Sequence, residues 1–121
     1  MSLSATGFDD ALGYKVIHET ASTNSLNTNV ATTEGTLFSV KMVNSSSSAA
    51  YLKIFDVENP TLGTTSPTIV LPVAGSGTIS YQIPGGLEFT TLSFACTLNA
   101  NPLDATAPSG ATVAVTFVCG D

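Results

Sequence analysis

The chain has 121 residues, a formal net charge of -6 from Lys+Arg 3 and Asp+Glu 9, and a composition 43% hydrophobic against 10% charged. High apolar content with little charge excludes an intrinsically disordered chain, which pairs the opposite properties. With no Arg and only Lys15, Lys41 and Lys53 there is no cationic stripe to neutralise phosphates, so nucleic acid is excluded as a partner.

The length fits one domain with a core that needs neither metal nor disulfide. No stretch reaches the roughly 18 apolar residues of a membrane span, and no membrane partner is expected. Residues 1–7 lack the basic start and apolar run of a signal peptide, so synthesis in a cytoplasm and a soluble product are expected.

Residues 1–35 read as an irregular N-terminal arm. The stretch 19–29 is rich in Ser, Thr and Asn without a periodic apolar face. Phe8, Leu12 and Tyr14 are its candidate anchors on the body or on a neighbouring subunit, and Tyr14-Lys15-Val16-Ile17-His18 has the composition of an additional strand.

From residue 36 the texture changes. Short runs rich in β-branched and aromatic residues recur at 36–43, 49–56, 68–73, 78–83, 92–98 and 112–118. Turn-forming segments separate them at 44–48, 58–63, 74–77, 84–86 and 99–110. This beat predicts an all-β domain over 36–121, an antiparallel β-sandwich or a small jelly-roll-like barrel. Alternation points Val113, Val115 and Phe117 inward, and Ile69, Leu71, Val73 and Ile79, Tyr81, Ile83 likewise. In the run 51–55, Leu52 and Ile54 share one face while Tyr51, Lys53 and Phe55 share the other. That amphipathic second face is a candidate edge or subunit contact.

Chemistry-bearing residues are few. Cys96 and Cys119 each follow an inward aromatic by two positions. If the last two strands form a simple hairpin, Cys96 faces a residue near Ala114. Cys119 then lies about 16 Å along the strand at about 3.3 Å per residue, beyond the roughly 7 Å a disulfide spans. Two buried thiols acting as small hydrophobes are expected. His18 has no Ser, Cys or carboxylate motif around it, so catalysis is not expected. Asp56 and Glu58, with the Asn59 carbonyl, weakly suggest an oxygen cage for Ca²⁺ but read better as acids ending a strand, and Asp9-Asp10 as a solvated turn. Gly75-Ser76-Gly77 precedes a strand, not the helix a phosphate loop requires, and is expected to form a hairpin. Pro84-Gly85-Gly86 is expected to turn a corner between strands, and Asn44-Ser45-Ser46 matches the glycosylation pattern. No cofactor or metal is implied, and no enzyme.

The segments Tyr51-Leu52-Lys53-Ile54-Phe55-Asp56, Ser66-Pro67-Thr68-Ile69-Val70-Leu71-Pro72-Val73, the Gly75-Ser76-Gly77 hairpin, residues 83–89 and residues 111–117 carry a resemblance. Across about residues 49–118 the chain resembles small virion structural proteins of tailed bacteriophages, including cyanophages. The resemblance implies a capsid cement, or decoration, protein, a β module, often trimeric, that clamps the outer surface of the shell. The implied partners are the major capsid protein and other copies of the chain, and the implied location is the capsid surface after assembly in the host cytoplasm. No family site residues transfer, because such proteins act through surfaces. Within this expectation the 1–35 arm is the contact with the capsid protein or a sister subunit.

Two alternatives remain open. One is a tail- or fibre-associated adhesion module binding host glycan, against which Trp 0 and Tyr 3 count, since sugars stack on exposed aromatics. The other is a bacterial surface β-sandwich.

Overall fold

A computed structural model describes residues 3–7, 14–31, 34–108 and 113–120. Over these residues the chain forms β1 (Leu3–Gly7), β2 (Tyr14–Ser22), β3 (Asn27–Ala31), β4 (Gly35–Asn44), β5 (Ala50–Phe55), β6 (Ile69–Val73), β7 (Thr78–Phe89), β8 (Leu92–Thr97) and β9 (Val113–Gly120), with no helix among them. Sheet A has the order β1-β2-β9-β4-β7 and sheet B the order β3-β8-β5-β6. Neighbouring strands run antiparallel. The two sheets pack face to face and stay open, so the fold is a sandwich and not a barrel.

Alternation builds the core. On β9 the inward side chains Val113, Val115, Phe117 and Cys119 are buried while Ala114, Thr116 and Val118 are half-exposed. Leu52 and Ile54 of β5, Leu92, Phe94 and Cys96 of β8, and Val40 and Met42 of β4 join the same cluster. Phe94 and Phe117 meet across the two sheets, ring centroids 4.8 Å apart and tilted by 56°, a favoured aromatic geometry.

Five expectations change. The described residues of the first third of the chain form strands of the sandwich and not an irregular arm. Tyr14–Ser22 lies between β1 and β9, with Ile17 opposite Phe117 and His18 opposite Thr116, and Asn27–Ala31 forms the edge of sheet B beside β8. The polar texture that hid these strands has a partner inside the fold. Glu19 points inward and is fully buried, accepting hydrogen bonds from the Ala21 N–H at 3.1 Å and the Asn27 amide at 3.1 Å. An acid and an amide therefore occupy positions where the pattern calls for two aliphatic residues.

Pro84-Gly85-Gly86 does not end a strand. β7 runs through it, and the β4–β7 register moves from Leu37↔Leu87 to Ser39↔Gln82, so residues 83–86 bulge opposite Phe38 alone. Gly85 and Gly86 adopt φ of 78° and 79°, open to glycine at no steric cost. A Cβ on Gly120 would lie 2.6 Å from the Phe38 ring, and one on Gly86 would strike Thr36, so the ring fills space that glycines leave.

The third change concerns β8 and β9, which are not a hairpin. They belong to different sheets, and the cysteine distances expected from a hairpin do not apply. The fourth is β5, buried on both faces, because residues 57–68 and 98–108 fold over its outer side. The two loops touch where Gly63 approaches Ala105 and Leu103.

One end of the sandwich is tied by Asn44. Its side chain accepts from the Ser46 N–H at 2.9 Å and donates to Ser48 O and Ala74 O, while its own N–H donates to Gly77 O. The amide of the glycosylation pattern is thus committed to the fold. The fifth change is Gly75-Ser76-Gly77, which is a tight turn and not a hairpin: it carries the chain from β6 in sheet B to β7 in sheet A, closed by the Gly77 N–H donating to Ala74 O at 3.1 Å, and Gly75 lies directly against the Ser47 carbonyl, where no side chain fits.

Candidate functional site

Of the six residues singled out as partner contacts, the structure describes the side chains of Tyr51, Lys53 and Phe55 and the strand position of Tyr14. Phe8 and Leu12 lie outside the described residues. Tyr14 begins β2, opposite Gly120, on a strand paired on both sides within sheet A. Tyr51, Lys53 and Phe55 do share one face of β5, but Lys53 and Phe55 are fully buried under the chain's own loops and only Tyr51 is partly open. A long apolar stem capped by an ammonium group explains the Lys53 position. The stem lies on the sheet, and Nζ donates to Asn101 O at 2.6 Å and Asp104 O at 2.8 Å. Burial pushes the Lys53 ammonium below its ordinary pKa, and Asp104 and Cys96 work against that shift.

Asp104 closes the loop. Its carboxylate accepts from Asn99 Nδ2, from the Thr106 hydroxyl at 2.8 Å, and from the Asn99 and Thr106 N–H groups. Desolvation raises its pKa, and these four bonds more than offset that and hold it below the usual value. Asn24 donates to Ala105 O from the β2–β3 turn, fixing the loop from a second side.

Asp56 ends β5 as expected of a strand-terminating acid. Its Oδ1 accepts from the Thr90 N–H, the Thr90 hydroxyl and the Thr91 N–H at 2.8, 3.1 and 3.2 Å. Partial burial raises the carboxyl and the three bonds outweigh it, leaving the pKa lowered. Glu58 is exposed on the next turn. Asp56 lines a cleft of about 520 Å³ with Glu34, Thr36, Glu88, Phe89 and Thr90. The sequence separates those three acids by up to 54 positions, which is why pattern reading misses them; the β4–β7 register brings Thr36 opposite Glu88. Among the described residues no group of three or more His, Cys, Asp or Glu side chains is placed to hold a metal ion.

His18 Nδ1 and Thr116 Oγ1 are hydrogen-bonded at 2.7 Å across the β2–β9 register. They sit on the outer face of sheet A, on a flat strand surface outside that cleft. Cys96 and Cys119 are buried and unpaired, as expected. Burial pushes their thiols up to about 12 and about 11, the opposite of an activated nucleophile.

What the fold does assemble is a surface. Val16 and His18 of β2, Ala114 and Thr116 of β9, Val43 of β4 and Ser80 of β7 share the outer face of sheet A. All are at least partly exposed, Val43 at 39%, and Lys41 beside them is exposed as well. Among the described residues the sandwich is asymmetric: β5 and β8 are almost wholly buried, whereas the outward side chains of β2, β9, β4 and β7 are at least partly exposed. Compared with protein families, with curated proteins and with solved structures, the chain matches none.

Proposed function

We propose that the chain is a non-enzymatic structural protein of a tailed-phage virion, a cement protein that binds the outer surface of the capsid and stabilises the shell. Its partner is the major capsid protein. The resemblance over residues 49–118 motivates the reading, and the exposed outward side chains of sheet A are the observation that supports it best. Among the described residues they are mostly short and uncharged, with Lys41 the exception. Covering a hydroxyl or a small apolar group costs far less desolvation free energy than covering Lys or Glu. The polar groups elsewhere support the same reading, since Lys53, Asn44, Asp56 and Asp104 bond to the chain's own backbone and loops.

The N-terminal third acts in this reading as part of the sandwich and not as a detachable arm. The test adds purified protein to capsids of the encoding phage assembled without it, followed by electron microscopy and thermal release of the genome. Added density on the shell and a higher release temperature are expected, both weakened by Val43→Glu, which places a new charge on the exposed face. Full occupancy by that variant removes the outer face of sheet A as the docking surface. Absence of density, with binding to host cells instead, replaces the reading with the glycan-binding adhesion module.

A further inference from the structure

β7 is the end strand of sheet A, so one side of its backbone pairs with β4 and the other pairs with no strand among the described residues. Which groups are left open follows from the ladder. The Asn44 N–H donates to Gly77 O on the β4 side at 2.8 Å. Alternation along an antiparallel pair then turns the main chain of Ile79 and Tyr81 toward β4 and that of Thr78, Ser80 and Gln82 away from it. A row of outward N–H and C=O groups is a template for another strand, and proteins ordinarily guard it with proline, charge or a bulge. The other strand on this flank, β6, carries Pro72. On β7 the bulge and the proline come only after Gln82, so residues 78–82 stand flat and unguarded.

Charge singles out the same flank. No Asp, Glu, Lys, Arg or His occurs from Asn59 to Leu87, a run that contains all of β6 and all of β7 except its last two residues. The inner side of β7 is also incompletely covered. Ile79 is 37% exposed, and Tyr81 and Ile83 are only half-buried against the core. Two copies each carrying a net charge of -6 repel one another, and least where a flank without charged side chains meets its counterpart.

We propose that β7 joins two copies of this chain, antiparallel about a two-fold axis through Ser80. An axis normal to the sheet keeps inner faces with inner faces, so paired residues must have the same parity. Centring on Ser80 pairs Ser80 with Ser80 of the partner subunit and Thr78 with Gln82 of the partner subunit. These are the residues whose main chain points outward, and each such pair exchanges two hydrogen bonds. Centring on Tyr81 instead would set Thr78 against Pro84 of the partner subunit, which has no N–H to give. In the Ser80 register Ile79 meets Tyr81 of the partner subunit on the inner side, covering the apolar strip. Lys41, one strand in from Ser80, lies about 14 Å from Lys41 of the partner subunit at roughly 4.8 Å per strand, beyond a screening length of about 8 Å. Sheet A becomes continuous across the pair, with both outer faces on one side. This association stands independently of any capsid.

Sedimentation equilibrium of the full chain tests it, with circular dichroism as the control for folding. The expected species is a dimer. Ser80→Pro removes an N–H that points away from β4, and Ser80→Lys sets two ammonium groups against each other at the axis, which is unfavourable for directly opposed strand positions. Each variant is expected to raise the dimer dissociation constant at least about 100-fold while the folded spectrum stays unchanged. Should Ser80→Pro fail to fold, Ser80→Lys, at an exposed side chain, decides the question alone. A wild-type monomer at concentrations approaching about 1 mM, a trimer, or a dimer that the folded variants leave intact overturns the proposal.

Discussion

Lys53→Met isolates the one ammonium group that the fold buries. Methionine keeps most of the side-chain volume and the apolar stem but cannot donate to Asn101 O and Asp104 O, now held at 2.6 and 2.8 Å. Hydrogen bonds from a charged donor contribute about 1.5–3 kcal/mol each. Part of that is returned because the variant no longer dehydrates an ammonium group, and loop carbonyls near the surface recover water when the loop lifts. The expected loss is about 2–4 kcal/mol. At an unfolding entropy of roughly 2.1 cal/mol/K per residue, this corresponds to a fall in Tm of roughly 8–16 °C for a domain of this size. Differential scanning calorimetry reads the stability, and limited chymotrypsin digestion reads the loop, since Leu103 is already 48% exposed and awaits only local opening. Faster cleavage at Leu103 should accompany the lower Tm. A stability change under about 0.5 kcal/mol, with cleavage unaltered, would show that the Asp104 bonds and the Asn24 contact hold the loop without Lys53 and would refute the reasoning.

Two further predictions concern ionisation. Asp56 has a folded pKa below its ordinary value, so between the two values the unfolded chain binds more protons than the folded one and stability rises with pH. Its contribution is complete above about pH 5 and is lost as pH falls through the folded value. Asp56→Asn, which retains the Oδ1 acceptor, should cost under about 1 kcal/mol near neutrality and flatten the acid limb of the stability profile. An unchanged limb in urea titrations between pH 2 and pH 6 would contradict the assignment. Cys96 and Cys119, with thiols pushed up to about 12 and about 11, should resist iodoacetamide in the native protein at about pH 8 and react in denaturant, as mass spectrometry would register. Labelling of the native chain at either position would show that the sandwich opens there.

The β-sandwich was legible wherever burial is one-sided and apolar. β9 announces itself through Val113, Val115 and Phe117, and β6 through Leu71 and Val73, because a half-buried antiparallel strand must alternate. β5 misled for a physical reason. Lys53 reads as a solvent-facing residue on any pattern scale, and only the loop at 98–108, distant in sequence, supplies the carbonyls that make its burial possible. β2 and β3 were obscured in the same way by Glu19 and Asn27, an inward polar pair joined by a hydrogen bond across a turn. The bulge in β7 depends on register, which single residues do not encode. The neutral run from Asn59 to Leu87 was open to reading in the sequence, yet its meaning required the topology, since only the strand order shows that it flanks one side of the sandwich.

The integration of β2 changes how docking must be probed. A deletion of residues 1–35 would strip β9 of its partner on one side and remove Ile17 and Glu19 from the interior, so loss of capsid binding by such a truncation would report unfolding as readily as a lost contact. Side chains on the outer face of sheet A avoid that confusion. Val43 contributes little to the core, and a charge there leaves the β4–β7 and β4–β9 ladders intact. The same logic separates the two surfaces of the molecule. Val43 addresses the face and Ser80 the edge, one strand apart, so the pair of substitutions distinguishes a protein that binds a shell as a single copy from one that must first extend its own sheet. If Val43→Glu weakens capsid binding while the dimer persists, face and edge act separately. If Ser80→Pro, which removes the edge N–H without adding a charge to the face, weakens both, the continuous sheet of the pair is itself the surface that the shell requires.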